Sequence, residues 1–267
     1  MQFVPLGGLI SAVIFFGSAT MAQDATALKQ LAPSGTLRIG VVFAPSKSTF
    51  FVIKDANGAP DGVTADLGRA LGRTLGLPVE FVLAPNSGIV TDATGAGGID
   101  VAFMPVDAER RTKVDFGPAY VVAANTYLVA PGSKIATIAE VDRAGVRVVG
   151  ISGTTTVRTA GRLLKTATVS DTPSVDDAMT MLRDGRADAF ALVRDALRPL
   201  AAGLPGSRIL DGSFHSLDIA VAVPKGRPLA LGLVTAFMEE AKAAGVVRKA
   251  LDAAGFQAEP VAGAAVK

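Results

Sequence analysis

The stretch GIDVAFMPVDAER, residues 98–110, joins a short apolar strand to a charged turn. The mostly apolar run Ile99–Met104 predicts a strand buried on both faces, which is typical of a parallel sheet. Open α/β sheets bind ligands beyond the carboxyl ends of their strands, and Arg110 follows this strand. A guanidinium there can hold a carboxylate through two parallel hydrogen bonds. Arg110 is therefore the first candidate binding residue, and a solvated Arg in a charged turn is the alternative.

Strands and helices alternate upstream of this turn. Apolar residues of Val63–Leu75 fall on one helical stripe, and Gly76 then provides a common helix ending. The predicted order is strand Thr36–Phe43, helix Val63–Leu75, strand Pro78–Leu83, helix Ser87–Ala96 and strand Ile99–Met104. This βαβαβ order predicts a doubly wound α/β lobe with a largely parallel sheet.

A second unit with the same alternation begins near Ile135. Its elements are strand Arg147–Ile151, helix Thr154–Leu164, strand Thr168–Ser170, helix Val175–Asp184 and strand Ala187–Leu192. Extended runs at Ala124–Ala130 and Leu217–Val223 flank this unit, which predicts a hinge of two strands. The closing helices, Pro228–Ala244 and Val246–Ala254, then return to the first lobe. We predict a discontinuous lobe 1 of residues 23–126 plus 222–267, and a lobe 2 of residues 127–221.

The composition argues against several classes of function. The 267 residues include 26 Lys plus Arg and 24 Asp plus Glu without a run of like charges, so a nucleic-acid partner is not expected. The chain has no Cys and one His, His215, which leaves little for a thiolate metal site or a catalytic triad. Phosphate-binding glycine motifs are absent as well. We therefore expect no metal, no cofactor and no catalysis.

The N-terminus has the pattern of an export signal. Met1–Ala22 contains no charged side chain, and its apolar stretch Leu6–Phe16 is shorter than the roughly 20 residues that span a bilayer. The small-x-small sequence Thr20-Met21-Ala22 predicts cleavage after Ala22. An uncleaved anchor is the alternative, because the segment lacks the usual basic residue at its start.

A second motif, GISGTTT at residues 150–156, leads from a strand into a helix. Backbone N–H groups at a helix start, together with Thr hydroxyls and the helix dipole, suit an anion. Gly153, Thr154 and Thr155 are therefore candidate anion-binding residues; a simple helix cap is the alternative. We expect this helix start to face Arg110 across a cleft. Asp107, in the turn before Arg110, is interpreted either as the cap of a short helix Asp107–Thr112 or as a ligand contact.

The ordered set of motifs resembles the extracellular solute-binding proteins of ABC importers, of the amino-acid-binding type known as family three. The matching pieces are Gly35–Gly40, Asp55–Gly58, Asp66-Leu67 with Leu75-Gly76, Gly98–Val101, Glu109-Arg110 with Val114–Phe116, Gly150–Thr155 and Gly185–Ala189. Together they run in family order from about residue 28 to residue 256. The resemblance implies the periplasmic-binding-protein fold, with two doubly wound α/β lobes and a two-strand hinge.

The resemblance also implies roles for individual residues. The Arg of the Glu-Arg motif, here Arg110, would bind the ligand's α-carboxylate, and Gly153, Thr154 and Thr155 would complete that anion site. Asn86 and Ser87 fall in the loop that usually contacts the ligand side chain.

This chain departs from the family pattern at three places. Met104, Pro105 and Asp107 stand where hydroxyl residues are common, and the loop Val42–Ile53 is longer than usual and lacks the usual aromatic-containing segment. Val193 occupies the position of the acid that would hold an α-ammonium group, although Asp195 lies nearby. Arg194 is a candidate second cation, or a surface residue that begins the helix Arg194–Ala202.

The resemblance implies a monomeric periplasmic receptor that delivers a small carboxylate-bearing solute, an amino acid or related organic acid, to an ABC permease in the inner membrane. Two alternatives remain at this stage. The same cleft could serve a sensory or accessory module, or it could carry a dehydratase or lyase, for which Asp107, Asp195 and His215 are the candidate acids and bases.

Overall fold

A computed structural model describes residues 25–263 of the chain. The predicted export signal lies outside these described residues. The strands are β1 (Leu37–Phe43), β2 (Phe51–Lys54), β3 (Pro60–Asp61), β4 (Val79–Ala84), β5 (Val101–Pro105), β6 (Val114–Val129), β7 (Arg147–Ile151), β8 (Thr168–Thr172), β9 (Ala189–Val193), β10 (Arg208–Ile209) and β11 (His215–Pro224). The helices are α1 (residues 25–31), α2 (Val63–Leu75), α3 (Ser87–Gly95), α4 (Thr155–Leu163), α5 (Val175–Arg183), α6 (Arg194–Ala202), α7 (Pro228–Ala243) and α8 (Val246–Ala253). Within residues 25–263, no helix has the length and apolar character of a membrane span.

Two parallel units are joined by long antiparallel strands. In the first unit β1 pairs in parallel with β2, β4 and β5, and in the second β7 pairs in parallel with β8 and β9. Strand β11 runs antiparallel to β5 and β6, and β6 runs antiparallel to β9. We call the unit around β1 lobe 1 and the unit around β7 lobe 2. This architecture of two α/β lobes is the fold class that the sequence predicts.

The two strands that link the lobes are β6 and β11. Strand β6 is 16 residues long and pairs with β11 over Val114–Asn125 and with β9 over Asn125–Val129. The extended segment expected at Ala124–Ala130 is thus the second half of one continuous strand. The predicted lobe boundaries fall inside β6 and near the middle of β11, and they stay a prediction.

The lobes share one ion-pair arrangement at the starts of their first strands. In lobe 1, Arg38 donates its backbone N–H and Nε to Oδ2 of Asp100, at 3.0 and 2.9 Å, and Nη2 to Oδ1 at 2.6 Å. In lobe 2, Arg147 makes the same three bonds to Asp188, at 2.8, 3.0 and 2.8 Å. In each lobe the acid precedes the strand that pairs with the strand of its Arg, so one side-chain pair fixes the register of two neighbouring parallel strands.

The helices close the faces of lobe 1. Helix α2 buries the stripe Val63, Leu67 and Leu71 and ends at Gly76, whose φ of 65° allows its N–H to bond back to the last turn. Helix α7 packs against β6 and β11, and α8 packs against α2. The chain therefore returns to lobe 1 after β11.

Two local features differ from the sequence interpretation. The loop expected over Val42–Ile53 contains β2, which forms a hairpin with the short strand β3. The short helix expected over Asp107–Thr112 is reduced to a 3-10 turn at Arg110–Thr112. Asp107 has the hydrogen bonds of a cap at this turn, because its Oδ1 accepts the N–H of Arg110 at 2.8 Å and its carbonyl accepts the N–H of Arg111 at 3.1 Å.

Candidate functional site

Arg110 lies in the turn after β5 and is almost fully buried, with 2% of its surface exposed. Its Nη1 donates to the carbonyl of Ser87 at 2.9 Å and to Oγ1 of Thr91 at 2.6 Å. Its Nη2 donates to Oγ of Ser87 at 2.8 Å. These partners belong to the first turn of α3, so the guanidinium is fixed by its own lobe.

The same guanidinium reaches the second lobe. Nη2 of Arg110 donates to the carbonyl of Gly153 at 3.2 Å, directly before α4. Burial lowers the pKa of Arg110 to about 10, while the charge of Asp107 acts in the opposite direction. Arg110 is therefore a cation at neutral pH, placed at the junction of the lobes.

The start of α4 faces the turn before Arg110. Thr154 is the N-cap: its Oγ1 accepts the N–H of Val157 at 3.3 Å and donates to the carbonyl of Ile151 at 2.7 Å. The next hydroxyl, Oγ1 of Thr155, donates across the junction to Oδ2 of Asp107 at 2.5 Å. Thr154 thus caps the helix, and the helix start faces an anion of the protein itself, Asp107; its binding of a solute anion stays a prediction.

Asp107 is the acidic centre of this junction. Besides the hydroxyl of Thr155 and the N–H of Arg110, its carboxylate contacts the guanidinium of Arg158 in α4. Burial acts to raise the pKa of Asp107, but the bonds from Thr155, Arg110 and Arg158 outweigh it, so the pKa is below its ordinary value. Asp107 is thus an anion held between the two lobes.

Arg158 is a site residue that sequence reasoning missed. Its Nε lies 2.9 Å from Oε2 of Glu109, while its Nη2 contacts Asp107. A signal was present, because residues four apart share a helix face and Arg158 lies four positions after Thr154. The junction then holds two cations, Arg110 and Arg158, and two anions, Asp107 and Glu109.

The loop before α3 also reaches across. Oδ1 of Asn86 accepts the N–H of Ile89 and caps α3, while its Nδ2 donates to the carbonyl of Pro173 in lobe 2 at 3.1 Å. Gly88 lies against Gly153, where a Cβ added to Gly88 would meet Cα and O of Gly153 at 2.9 Å. Absence of side chains at both positions lets the two backbones approach this closely.

The long first loop fills the middle of the junction. Ser48, Thr49 and Phe50 are buried, and the N–H of Thr49 donates to Oδ2 of Asp195 in lobe 2 at 2.6 Å. Asp195 is itself buried, which raises its pKa even though the Thr49 bond acts to lower it. The carbonyl of Thr49 accepts the hydroxyl of Tyr120 at 2.7 Å, which ties the loop to the hinge strand β6.

Three remaining candidates are not among the hydrogen-bond partners of the Arg110 guanidinium. Pro105 ends β5 and Val193 ends β9, and both are buried. Nη2 of Arg194 donates to the carbonyls of Leu210 and Gly212, so this side chain holds the loop before β11. The structure therefore brings Arg110, Asp107, Gly153, Thr155, Asn86 and Ser87 together, with Thr154 as the supporting cap, and directs Arg194 to its own lobe.

The space beside Arg110 is small in this closed arrangement. A cavity of about 50 Å³ lies there, lined by Gly88, Thr91, Glu109, Gly153 and Arg158 among others. Pockets for small molecules usually measure about 300–1,000 Å³. The space beside the guanidinium is therefore too small, in this arrangement, for a small-molecule guest.

Residues 39–254 match the bacterial extracellular solute-binding proteins, family 3. The chain belongs to this family. Over 151 residues it is 27% identical to the ABC transporter glutamine-binding protein GlnH of Bacillus subtilis (strain 168). That match covers 56% of this chain and 55% of the Bacillus protein, so it spans about half the length of that relative.

Solved structures of family members share the fold over most of the chain. The solute receptor for L-cysteine of Neisseria gonorrhoeae superposes with a TM-score of 0.75 at 25% identity, covering 85% of this chain and 91% of the receptor. An ancestral amino acid-binding protein, described as a precursor of cyclohexadienyl dehydratase, gives a TM-score of 0.72 at 28% identity, covering 84% and 97%. The chain thus shares both its family and its fold with proteins that are named for binding amino acids.

Proposed function

We propose that this protein is a periplasmic receptor that binds a small carboxylate-bearing solute, an amino acid or a related organic acid, between its lobes. The bound form then docks on an ABC permease of the inner membrane. Arg110 holds the solute's carboxylate from lobe 1, and Gly153, Thr154 and Thr155 supply the start of α4 from lobe 2. Asn86, Ser87, Pro105, Asp107 and Val193 form the remaining proposed contacts. Arg194 is not among them, because its guanidinium bonds to the carbonyls of Leu210 and Gly212 in its own lobe.

One observation carries this proposal: the buried guanidinium of Arg110 bonds to groups of both lobes, at Ser87 and at Gly153. A carboxylate inserted at this junction can exchange one of these bonds for its own and be held from both sides. Contacts from both lobes exist only when the lobes are closed, so solute binding favours closure.

The charges around Arg110 support a carboxylate rather than a larger anion. Asp107 and Glu109 already balance Arg110 and Arg158, so a guest with several negative charges would be repelled by the two acids. A single carboxylate keeps the charges balanced if it takes the place of the Asp107 carboxylate beside Arg110 and Arg158. Glutamine and L-cysteine, for which the Bacillus protein and the Neisseria receptor are named, are solutes of this size with a single carboxylate.

Absence of catalysis is part of the proposal. Asp107 is held by Thr155, Arg110 and Arg158, and Asp195 accepts backbone N–H groups from Thr49 and Ala196. Carboxylates fixed in this way are poorly placed to transfer protons to a substrate. His215 is exposed at the start of β11.

Calorimetry on refolded protein tests the proposal. The protein is unfolded in guanidinium chloride and refolded to remove copurified solute, and is then titrated with a panel of amino acids and organic acids. We expect at least one carboxylate-bearing solute to bind, with an affinity reduced about 100-fold or more in Arg110→Ala. Arg194→Ala serves as the matched control, and undiminished affinity in Arg110→Ala would remove Arg110 from the site.

Uptake measurements separate the importer from the sensory alternative. In cells that depend on the solute, deletion of this protein abolishes uptake if it feeds a permease, whereas uptake is retained if the same cleft serves a signalling partner. Fractionation of the native host tests the compartment, and a protein retained in the cytoplasm would contradict periplasmic delivery.

A further inference from the structure

The anion position at the start of α4 is filled by the protein's own carboxylate. Oδ2 of Asp107 accepts the hydroxyl of Thr155 at 2.5 Å and contacts Nη2 of Arg158, and Oδ1 accepts the N–H of Arg110 at 2.8 Å. Oδ2 also lies 3.6 Å from Nε of Arg110. A hydroxyl at a helix start, a main-chain N–H and two guanidinium groups therefore surround this one carboxylate.

The hydrogen-bond donors of Arg110 are also almost all occupied by groups of the protein. Its two terminal nitrogens make four hydrogen bonds, to the carbonyl and hydroxyl of Ser87, to Thr91 and to Gly153. Of the three guanidinium nitrogens of Arg110, only Nε has no hydrogen-bond partner among residues 25–263. Its ion-pair partner there is the carboxylate of Asp107. A guest carboxylate thus meets an anion site that is already neutralised.

We propose that Asp107 is a specificity-determining residue that acts as a built-in competitor for the solute's carboxylate. In the absence of solute, it bridges the lobes through Thr155 and Arg158 and keeps the protein closed. A solute binds only if its own contacts replace this bridge. This inference rests on the proposed function, because it assumes that a solute binds at Arg110. The bridge between Asp107, Thr155 and Arg158 is observed independently of any solute.

The bridge selects among guests through a difference in free energy. A carboxylate alone gains little, because it displaces an equivalent carboxylate that is tethered to the site and has lost less freedom. A guest must add contacts elsewhere in the cleft to succeed. Asp107 therefore discriminates against small carboxylates such as acetate, which offer nothing beyond the shared group.

Interlobe distances measured by paired spin labels test the closed state directly. The chain contains no Cys, so Thr74→Cys on α2 and Arg183→Cys on α5, both exposed, place one label on each lobe. In refolded, solute-free protein we expect one short distance. Asp107→Ala should shift the closed-to-open ratio about tenfold or more towards open, because it removes charge-assisted bonds between the lobes.

Acetate then tests whether Asp107 acts as an anion in that position. Acetate supplies the carboxylate that Asp107→Ala removes, so we expect sodium acetate at roughly 50–100 mM, well above the millimolar affinity typical of small fragments, to restore the short distance in this variant. Sodium chloride at equal ionic strength should not restore it. In the wild-type protein acetate should change nothing, because the site is filled.

Two further variants keep the test decisive. Arg158→Gln removes the bridge from the other lobe and should open the protein even if Asp107→Ala folds poorly. Asp252→Ala breaks an ion pair within α8 of lobe 1, in which Oδ1 of Asp252 lies 2.9 Å from Nε of Arg248. This control variant should leave the interlobe label distance unchanged. Solute-free wild type that is as open as Asp107→Ala, or a lack of rescue by acetate, overturns the proposal. Neither measurement uses the transported solute, so failure of the proposed function is detected separately.

Discussion

The hydroxyl of Thr155 donates to the carboxylate of Asp107 at 2.5 Å, although one residue begins a helix of lobe 2 and the other follows a strand of lobe 1. This bond crosses the junction beside the buried Arg110, whose guanidinium reaches Gly153 of the same helix start. Closure of the lobes therefore brings together one cation, one anion and the N-terminal end of a helix. Changes at this point should affect the movement of the lobes more than the folding of either lobe.

Gly88→Ala should hinder closure. The new Cβ would lie 2.9 Å from both Cα and O of Gly153, and backbone atoms on both sides leave no flexible group to move away. Gly161→Ala, in α4 with nothing within 4 Å of its Cβ, is the matched control. We expect the interlobe distance between the spin labels on α2 and α5 to report an open form only in Gly88→Ala. The free energy of unfolding in urea should stay within about 1 kcal/mol of wild type for both variants. An unchanged distance in Gly88→Ala would contradict the close approach.

Acidification should open the solute-free protein. The pKa of Asp107 in the closed form is below its ordinary value of 3.8. Its contribution to closure is therefore complete above about pH 5, weakens near 3.8 and is lost as the pH falls through the lower pKa of the closed form. The charged groups around it are Arg110, Arg158 and Glu109. Label distances measured from pH 6 to pH 3, in roughly unit steps around the ordinary Asp pKa, should show this opening.

Asp107→Asn provides the reference for this pH series, because it keeps the shape but cannot titrate. The difference between wild type and Asp107→Asn should shrink towards the acidic end. A constant difference across the series would show that the charge of Asp107 does not contribute to closure.

The repeated ion pair predicts unequal costs in the two lobes. Asp100 has no exposed side-chain surface, whereas 32% of the Asp188 side chain is exposed. Removing one partner of a buried pair leaves an uncompensated charge, so Asp100→Asn should lower the free energy of unfolding by about 3 kcal/mol. Asp188→Asn should cost about 1 kcal/mol or less, because water replaces the lost partner. Equal losses in urea unfolding would contradict this interpretation.

Asp195 should matter as an acceptor more than as a charge. Asp195→Ala leaves the buried N–H of Thr49 without its partner, and we expect a loss of about 2 kcal/mol in the free energy of unfolding. Asp195→Asn retains one carbonyl acceptor and removes a buried carboxylate, so its cost should be about 1 kcal/mol or less. Urea unfolding at neutral pH measures both, and an Asn variant as unstable as the Ala variant would indicate that the charge is required.

Much of the fold follows from local sequence patterns. The stripe of Val63–Leu75 gave a helix with the predicted bounds, and Arg147–Ile151 formed the predicted strand. The hairpin of β2 and β3 was missed because β3 has only two residues and its pairing is set by contacts rather than by alternation. The length of β6 was also missed, since its partners β11 and β9 lie far away along the chain.

The site is partly visible in the sequence as well. Arg110 and the start of α4 were predicted to face each other, and they lie in hydrogen-bond contact through Gly153. Their contact leaves less space than the predicted cleft, because Asp107, Arg158 and the loop of Thr49 meet in the same place. No local pattern specifies such contacts, since each joins residues of different lobes and depends on how far the lobes close.

Native mass spectrometry of protein purified from an exporting host, without refolding, tests the central claim most directly. The account predicts that wild type carries a carboxylate-bearing small molecule at one copy per chain, and that Arg110→Ala and Arg110→Lys lose it while Arg194→Ala keeps it. Retention of the same molecule in folded Arg110→Ala would contradict the account, because recognition would then not depend on the guanidinium between the lobes.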